Sequence, residues 1–176
     1  MKTPSPSSLA VRTLHRTPRR GVLFMVVAVA AAALFTGCAG PSASLTAPDG
    51  FAELEHDTDY SFRATNASGV VIGIRTEKNE PAGNLAFWTE ALDNKLRSQG
   101  YVALDDKPLA VKTDDGRDGN RLRYQLNRNG RNHEYWLTVF VAGESVVVVE
   151  AAGDEAYFND AIRDELEAAT RTMKLG

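Results

Sequence analysis

The stretch Glu134–Ala142, EYWLTVFVA, decides the fold. Tyr135, Leu137, Val139 and Val141 share one parity, and Trp136, Thr138, Phe140 and Ala142 share the other. A strand that is apolar on both parities must be covered on both faces, so it belongs in the middle of a sheet. Upstream, Leu122, Tyr124 and Leu126 alternate with Arg121, Arg123 and Gln125, and Asn129-Gly130 is a two-residue hairpin signal. Downstream, Ala142-Gly143-Glu144-Ser145 turns the chain and Val146–Ala151 returns. These pieces predict a three-stranded antiparallel meander.

Working outward, Tyr60–Thr65 and Val70–Arg75 flank the turn cluster Asn66-Ala67-Ser68-Gly69 and read as a second hairpin. Glu80–Asn84 breaks the strand, with Asn84 as the expected N-cap of a helix. Leu85, Trp88, Leu92 and Leu96 recur at spacings of three and four and mark its buried face. Gly100 stands where a glycine after the helix end belongs. Trp88 is read as packing that helix on the sheet. Tyr101–Thr113 holds two short apolar pieces around Asp105-Asp106-Lys107. Asp154 is expected to cap a last helix, with Phe158, Ile162, Leu166, Ala169 and Met173 as its buried stripe. Asp154, Glu155, Asp160 and Asp164 crowd its start and Arg171 and Lys174 its end, the sense that suits the helix dipole. The fold class expected is α+β: an antiparallel sheet with helices packed on both faces, an α/β/α sandwich.

The first 37 residues carry another message. Lys2, Arg12, Arg16, Arg19 and Arg20 come without an acid, then Val22–Phe35 is apolar, then Thr36-Gly37-Cys38 follows. That order reads as a secretory signal. The apolar run is short of the ~20 residues that span a bilayer comfortably, which argues against an uncleaved anchor helix. Cys38 is the one cysteine in the chain, so no internal disulfide can form. Phe35-Thr36-Gly37-Cys38 resembles a bacterial lipobox, with Phe35 where the usual pattern has Leu. The resemblance implies cleavage before Cys38, a diacylglyceryl group on its sulfur and an acyl chain such as palmitate on its new amino group. Two or more chains hold a protein firmly on a bilayer where one holds marginally. The domain scheme expected is therefore 1–37 signal peptide, 38–50 lipidated flexible linker, and 51–176 one globular domain. Ala39 is not the aspartate of an inner-membrane retention signal, so the expected address is the bacterial cell envelope. In a Gram-negative cell that means the outer membrane facing the periplasm; a Gram-positive plasma membrane fits equally.

Removing five basic and no acidic residues from 20 and 23 leaves 15 and 23, a net charge near −8. An acidic body excludes nucleic acid as the expected partner and speaks against a broad grip on anionic lipid. About 140 residues remain, enough for one domain with a real core. The candidates for chemistry are few. His56 and His133 are the histidines beyond the signal, and His133 borders the hairpin. Asp114–Asn120 is rich in carboxylates but lacks the ligand spacing of an EF-hand loop and reads as a solvated turn. Asp105-Asp106 and Asp114-Asp115 are expected in turns, where solvation leaves pKa values unperturbed. No Gly-x-Ser-x-Gly elbow, His-Glu-x-x-His pair, phosphate loop or Cys/His cluster is present. No catalytic residue, metal ligand, cofactor-binding residue or cofactor is assigned.

With Gly69–Ile72, Asn84–Trp88, Gly100-Tyr101, Tyr135–Val141 and the closing helix in this order, residues 50–175 resemble the PsbP/Mog1-like (DcrB-like) superfamily, whose bacterial members include small lipoproteins. The resemblance implies an antiparallel sheet with helices on both faces. It also implies work by binding other proteins rather than by catalysis; no family site carries over to a residue here. The expected function is a membrane-anchored, non-catalytic protein-binding or assembly module, tethered through a lipid on Cys38, its protein partner unidentified. The alternatives are a small-ligand carrier with a pocket between the sheet and the Leu85–Leu96 helix, and a hydrolase assembled from distant residues.

Overall fold

The computed structural model describes residues 43–55 and 59–176; Cys38, the signal before it and His56 lie outside the described residues. The predicted meander is β7 (Asp118–Arg128), β8 (Arg131–Ala142) and β9 (Ser145–Asp154). The Asn129-Gly130 turn joins the first two, both residues having the positive φ that a two-residue hairpin demands. The predicted hairpin is β3 (Phe62–Asn66) and β4 (Val71–Lys78), and β4 pairs along β9 from Val71↔Ala152 to Lys78↔Ser145. β2 (Phe51–Glu53) adds to β3 at one edge. At the other edge, β5 (Val102–Ala103) and β6 (Leu109–Lys112) both pair with β7. The result is an eight-stranded antiparallel sheet in the order β2-β3-β4-β9-β8-β7-β5, with β6 also on β7.

β8 sends alternate side chains into two separate cores. Leu137 and Val139 join Leu122, Tyr124, Val146 and Val148 beneath helix α1 (Leu85–Ser98), which contributes Leu85, Trp88, Leu92 and Leu96. Trp136 and Phe140 join Ile72, Ile74, Val147, Val149 and Ala151 beneath α2 (Asp160–Arg171), which contributes Ile162, Leu166 and Ala169. Full burial of each such side chain contributes roughly 1.5–3 kcal/mol. The sandwich with helices on both faces is present. Trp88 is half-buried against the α1-side core as expected, and its Nε1 donates to Asn79 Oδ1 at 2.6 Å.

Helix α1 follows its sequence signals. Asn84 Oδ1 accepts from the Phe87 N–H at 2.9 Å, and Gly100, at φ +90°, ends the helix. The last helix departs from expectation. Asp154 caps only a single 3-10 turn, Glu155–Tyr157, and Asn159 caps α2, accepting from the Ile162 N–H at 3.0 Å. Between them Phe158, at 1% exposure, turns into the core 5.4 Å from the Trp136 ring. Phe158 is held better by an irregular joint than by a helical face, and Asn serves as an N-cap as well as Asp. Met173 is buried beyond the helix end.

Charged groups dock α2. Glu134, 4% exposed, accepts from Trp136 Nε1 at 2.7 Å and from Arg163 Nη2 at 2.6 Å. Arg121, also 4% exposed, lies 4.6 Å over the Trp136 ring and donates from Nη1 to Glu167 at 2.7 Å. Burial pulls the Arg121 guanidinium below its ordinary pKa, against the opposing pull of Glu167.

In the leader expected to be a flexible linker, the described residues Ala43–Thr46 pack onto the domain. β1 (Ala43–Ser44) pairs with β10 (Lys174–Leu175), Ala43 and Leu45 are buried in the α2-side core, and the Thr46 N–H donates to Thr172 Oγ1 at 2.8 Å. Small polar residues look like linker in composition, but two apolar side chains two residues apart, Ala43 and Leu45, are enough to seat a strap. Leu45→Ala should lower unfolding free energy by about 2 kcal/mol, the low end of the large-to-small range. A chain starting at residue 51 should melt at lower temperature than one starting at residue 42, measured by circular dichroism.

Candidate functional site

Helix α1 is 14 residues, about 21 Å at 1.5 Å per residue, whereas β8 has 12 residues, roughly 40 Å at 3.3 Å each. The helix therefore covers only part of the sheet face. It starts beside the end of β4, and after Gly100 the chain pairs Val102 with Gln125 and Ala103 with Tyr124. Beyond that level, alternation along β7, β8 and β9 places Leu126, Arg128, His133, Tyr135, Glu150 and Ala152 on the uncovered half of the α1 face. β3 and β4 add Arg63, Val71, Gly73 and Arg75 on the same face.

Two adjoining clefts result, with Tyr135 and Ala152 common to both. One, about 120 Å³, lies among Tyr101, Leu126, Arg128 and His133; the other, about 110 Å³, lies among Tyr60, Arg63, Gly73 and Glu150. Next to them, Arg131, Asn132 and Asp154–Ala156 border an open polar hollow of about 450 Å³. Tyr60 lies against Gly73, where a Cβ would stand 2.7 Å from its ring carbon, so only glycine permits that contact. Tyr101, Tyr124 and Tyr135 form an aromatic group with centroids 5.2 to 6.5 Å apart.

Glu150 organises the wall between the clefts. Its carboxylate accepts from the Tyr60 hydroxyl at 2.7 Å and from Arg75 Nη2 at 2.6 Å. Burial, reinforced by the bond to Glu150, pushes the Tyr60 phenol from 10.0 up to about 12. Burial and Glu150 raise Tyr135 further. Tyr124 is raised by burial and by its 2.6 Å bond to Asp93. Burial alone would lower the Arg75 pKa, but Glu150 outweighs it and holds the guanidinium above its ordinary value. At neutral pH these phenols are protonated hydrogen-bond donors; Tyr60, Tyr101 and Tyr135 are half-buried at the cleft walls, whereas Tyr124 is buried beneath them.

The residues singled out from sequence land as follows. His133 sits at the cleft rim, half-buried, its Nδ1 3.3 Å from the Arg131 carbonyl. Asp114 and Asp115 lie in the expected turn, Asp115 accepting from the Thr113 hydroxyl. Asp105 corrects the expectation of an unperturbed turn acid: Arg123 grips it through two bonds, 2.8 and 2.6 Å, and holds its carboxyl below the usual range. Among the described residues no group of three or more His, Cys, Asp or Glu side chains could hold a metal ion. Tyr60, Tyr101, Tyr135 and Glu150 were not legible as a site. One signal pointed there: Glu150 is a lone carboxylate closing the apolar run Val146–Val149, and a charge inside such a strand needs partners.

The space between sheet and α1, where a ligand pocket was the alternative expectation, is filled by the α1-side core. At its rim, among Asp93, Arg97, Asp105 and Tyr124, a gap of about 30 Å³ remains.

No protein-family model and no curated protein sequence matches the chain. Solved structures do match its architecture. LpqN, involved in cell envelope biogenesis of Mycobacterium tuberculosis, superposes with a TM-score of 0.55 at 14% identity, over 77% of this chain and 84% of that one. Cyanobacterial PsbP (CyanoP) from Synechocystis superposes with a TM-score of 0.50 at 11% identity, over 81% and 96%. The domain has a PsbP-like fold. A third match, a Bacteroides thetaiotaomicron protein, has a TM-score of 0.51 at 17% identity over 76% of this chain, which spans only 45% of that longer one. At these identities the likeness concerns the fold alone.

The Tyr60 shift has a sign. With a folded value near 12 against 10.0 unfolded, the stability its hydroxyl contributes is complete below pH 10 and is lost as pH rises to 12. Tyr60→Phe should make the fall in melting temperature between pH 10 and 12 shallower, measured beside the wild type. Asp105→Asn should cost about 1 kcal/mol, the scale of one charged hydrogen bond replaced by a neutral one.

Proposed function

We propose that this chain is a bacterial cell-envelope lipoprotein, held at a membrane by lipid on Cys38, whose PsbP-like domain binds another protein and performs no catalysis. The observation that carries the reading is the uncovered half of the α1 face. Its walls are Tyr60, Arg63, Tyr101, Tyr135 and Arg128. Tyr and Arg are the residue types that dominate binding energy at protein interfaces, and a rigid sheet holds them in place. Clefts of about 120 and 110 Å³ are smaller than the roughly 300 Å³ or more that encloses a small ligand, which favours a protein surface over a carrier pocket.

Other features agree with the non-catalytic reading. The raised phenols stay protonated at neutral pH, and the Glu150 carboxylate is engaged by two donors, Tyr60 and Arg75. Support for the tether comes from Gly37-Cys38 after a short apolar run, and no helix among the described residues is long and apolar enough to cross a membrane. LpqN, with the same architecture, is a protein involved in cell envelope biogenesis, which agrees with an envelope address here. The acidic body disfavours nucleic acid as partner.

In cells, a photo-cross-linking residue at Arg128 should yield a discrete adduct with an envelope protein, while the same probe at exposed Asp164 on α2 yields none. Cys38→Ser should shift the protein from the membrane to the soluble fraction. Equal adducts at both positions would remove the cleft from the interface. Turnover of a substrate by the purified domain would end the non-catalytic reading.

A further inference from the structure

The two ends of the described chain meet at one corner of the domain. β1 pairs with β10 through Ala43↔Leu175 and Ser44↔Lys174, and the Thr46 N–H donates to Thr172 Oγ1 at the end of α2. The approach to β7 reaches the same corner, because the Asp114 N–H donates to the Arg171 carbonyl at 2.8 Å. From this end β7 and β8 run together from Gly119↔Phe140 to Arg128↔Arg131. Those nine residue steps measure about 30 Å at roughly 3.3 Å each. Leu126, Arg128 and His133, which line the larger enclosed cleft, stand at the far end of those strands, beside the Asn129-Gly130 tip.

Resting on the reading of Cys38 as the lipid-bearing residue, we infer that the β1–β10 corner faces the bilayer surface and that the cleft and hairpin tip face away from it. Cys38 lies five residue steps before Ala43. A fully extended chain covers at most about 3.5 Å per step, so the Ala43 Cα stands within about 18 Å of the Cys38 Cα. The inverted pose, with the hairpin tip on the headgroups, lifts the corner about 30 Å from the surface, beyond that reach. Lying flat is opposed by charge: the body carries a net charge near −8, and anionic headgroups repel its flanks. The corner itself mixes Arg171 and Lys174 with Asp114 and Asp115. The strap that fills the α2-side core thus also sets the domain's pose. The partner it serves reaches the cleft from the aqueous side, not from within the membrane.

The test uses the full chain, lipidated in cells and reconstituted in phosphatidylethanolamine–phosphatidylglycerol vesicles with nitroxide-labelled headgroups. A thiol consumed as a thioether does not react, so a cysteine introduced by Lys174→Cys or Arg131→Cys is the one free thiol for a fluorophore. The label at 174 should lose severalfold more emission to the headgroup quencher than the label at 131. Arg171→Cys provides a second corner position should the 174 label disturb β10. Equal quenching at corner and tip, or stronger quenching at 131, overturns the orientation while leaving the lipid reading intact. Labelling of the unsubstituted chain shows a free Cys38 and overturns the lipid reading, and the orientation with it.

Discussion

Everything in this domain depends on the requirement that β8 be dry on both faces. Tyr135, Leu137 and Val139 point one way and Trp136, Thr138 and Phe140 the other, with β9 beside them equally apolar. A sheet whose central strands are apolar on both parities is unstable unless something lies on each side. One helix is supplied from before the meander and one from after it. The short connections between β7, β8 and β9 keep that central pairing local, and β4 closes the sheet on β9's free edge.

The two faces handle polar groups differently. On the α2 face, Glu134 and Arg121 are almost fully enclosed, and each is joined to a residue of the helix, Arg163 and Glu167. Removing one partner from such a pair strands a desolvated charge, so these contacts fix where α2 sits more than they add net stability. On the other face α1 stops short. There Glu150 takes its partners from the sheet itself and from Tyr60, leaving half-buried tyrosine rings and arginine stems around a carboxylate that is already engaged. The cleft is the consequence of a helix shorter than the strands it covers.

On the proposed reading of a tethered binding module, a rigid, aromatic-walled recess needs no reacting group to be useful. It needs a fixed pose and a surface that a partner can desolvate. The strap formed by Ala43–Thr46 bears on both, because residues that complete the α2-side core lie only a few positions after Cys38 in the chain. The fold is shared with proteins at 11 to 17% identity, so the same architecture is compatible with widely different sequences.

By itself the sequence determined the meander, the Asn129-Gly130 turn, the β3–β4 hairpin, the Asn84-capped helix and the need for two covering layers. All of these rest on local periodicity, turn chemistry or capping, which act within a few residues. The charge balance and the Gly37-Cys38 ending are also local. Only the tertiary structure decided that Ala43–Leu45 is a seated strap rather than linker, since its partner strand lies at the other end of the chain. It moved the helix cap from Asp154 to Asn159, because Phe158 had to reach Trp136. It gave Asp105 to Arg123. And it gathered Tyr60, Tyr101, Tyr135 and Glu150, which come from four separate segments. Their proximity depends on strand order and on where α1 ends, long-range facts for which a single sequence carries no periodic signal.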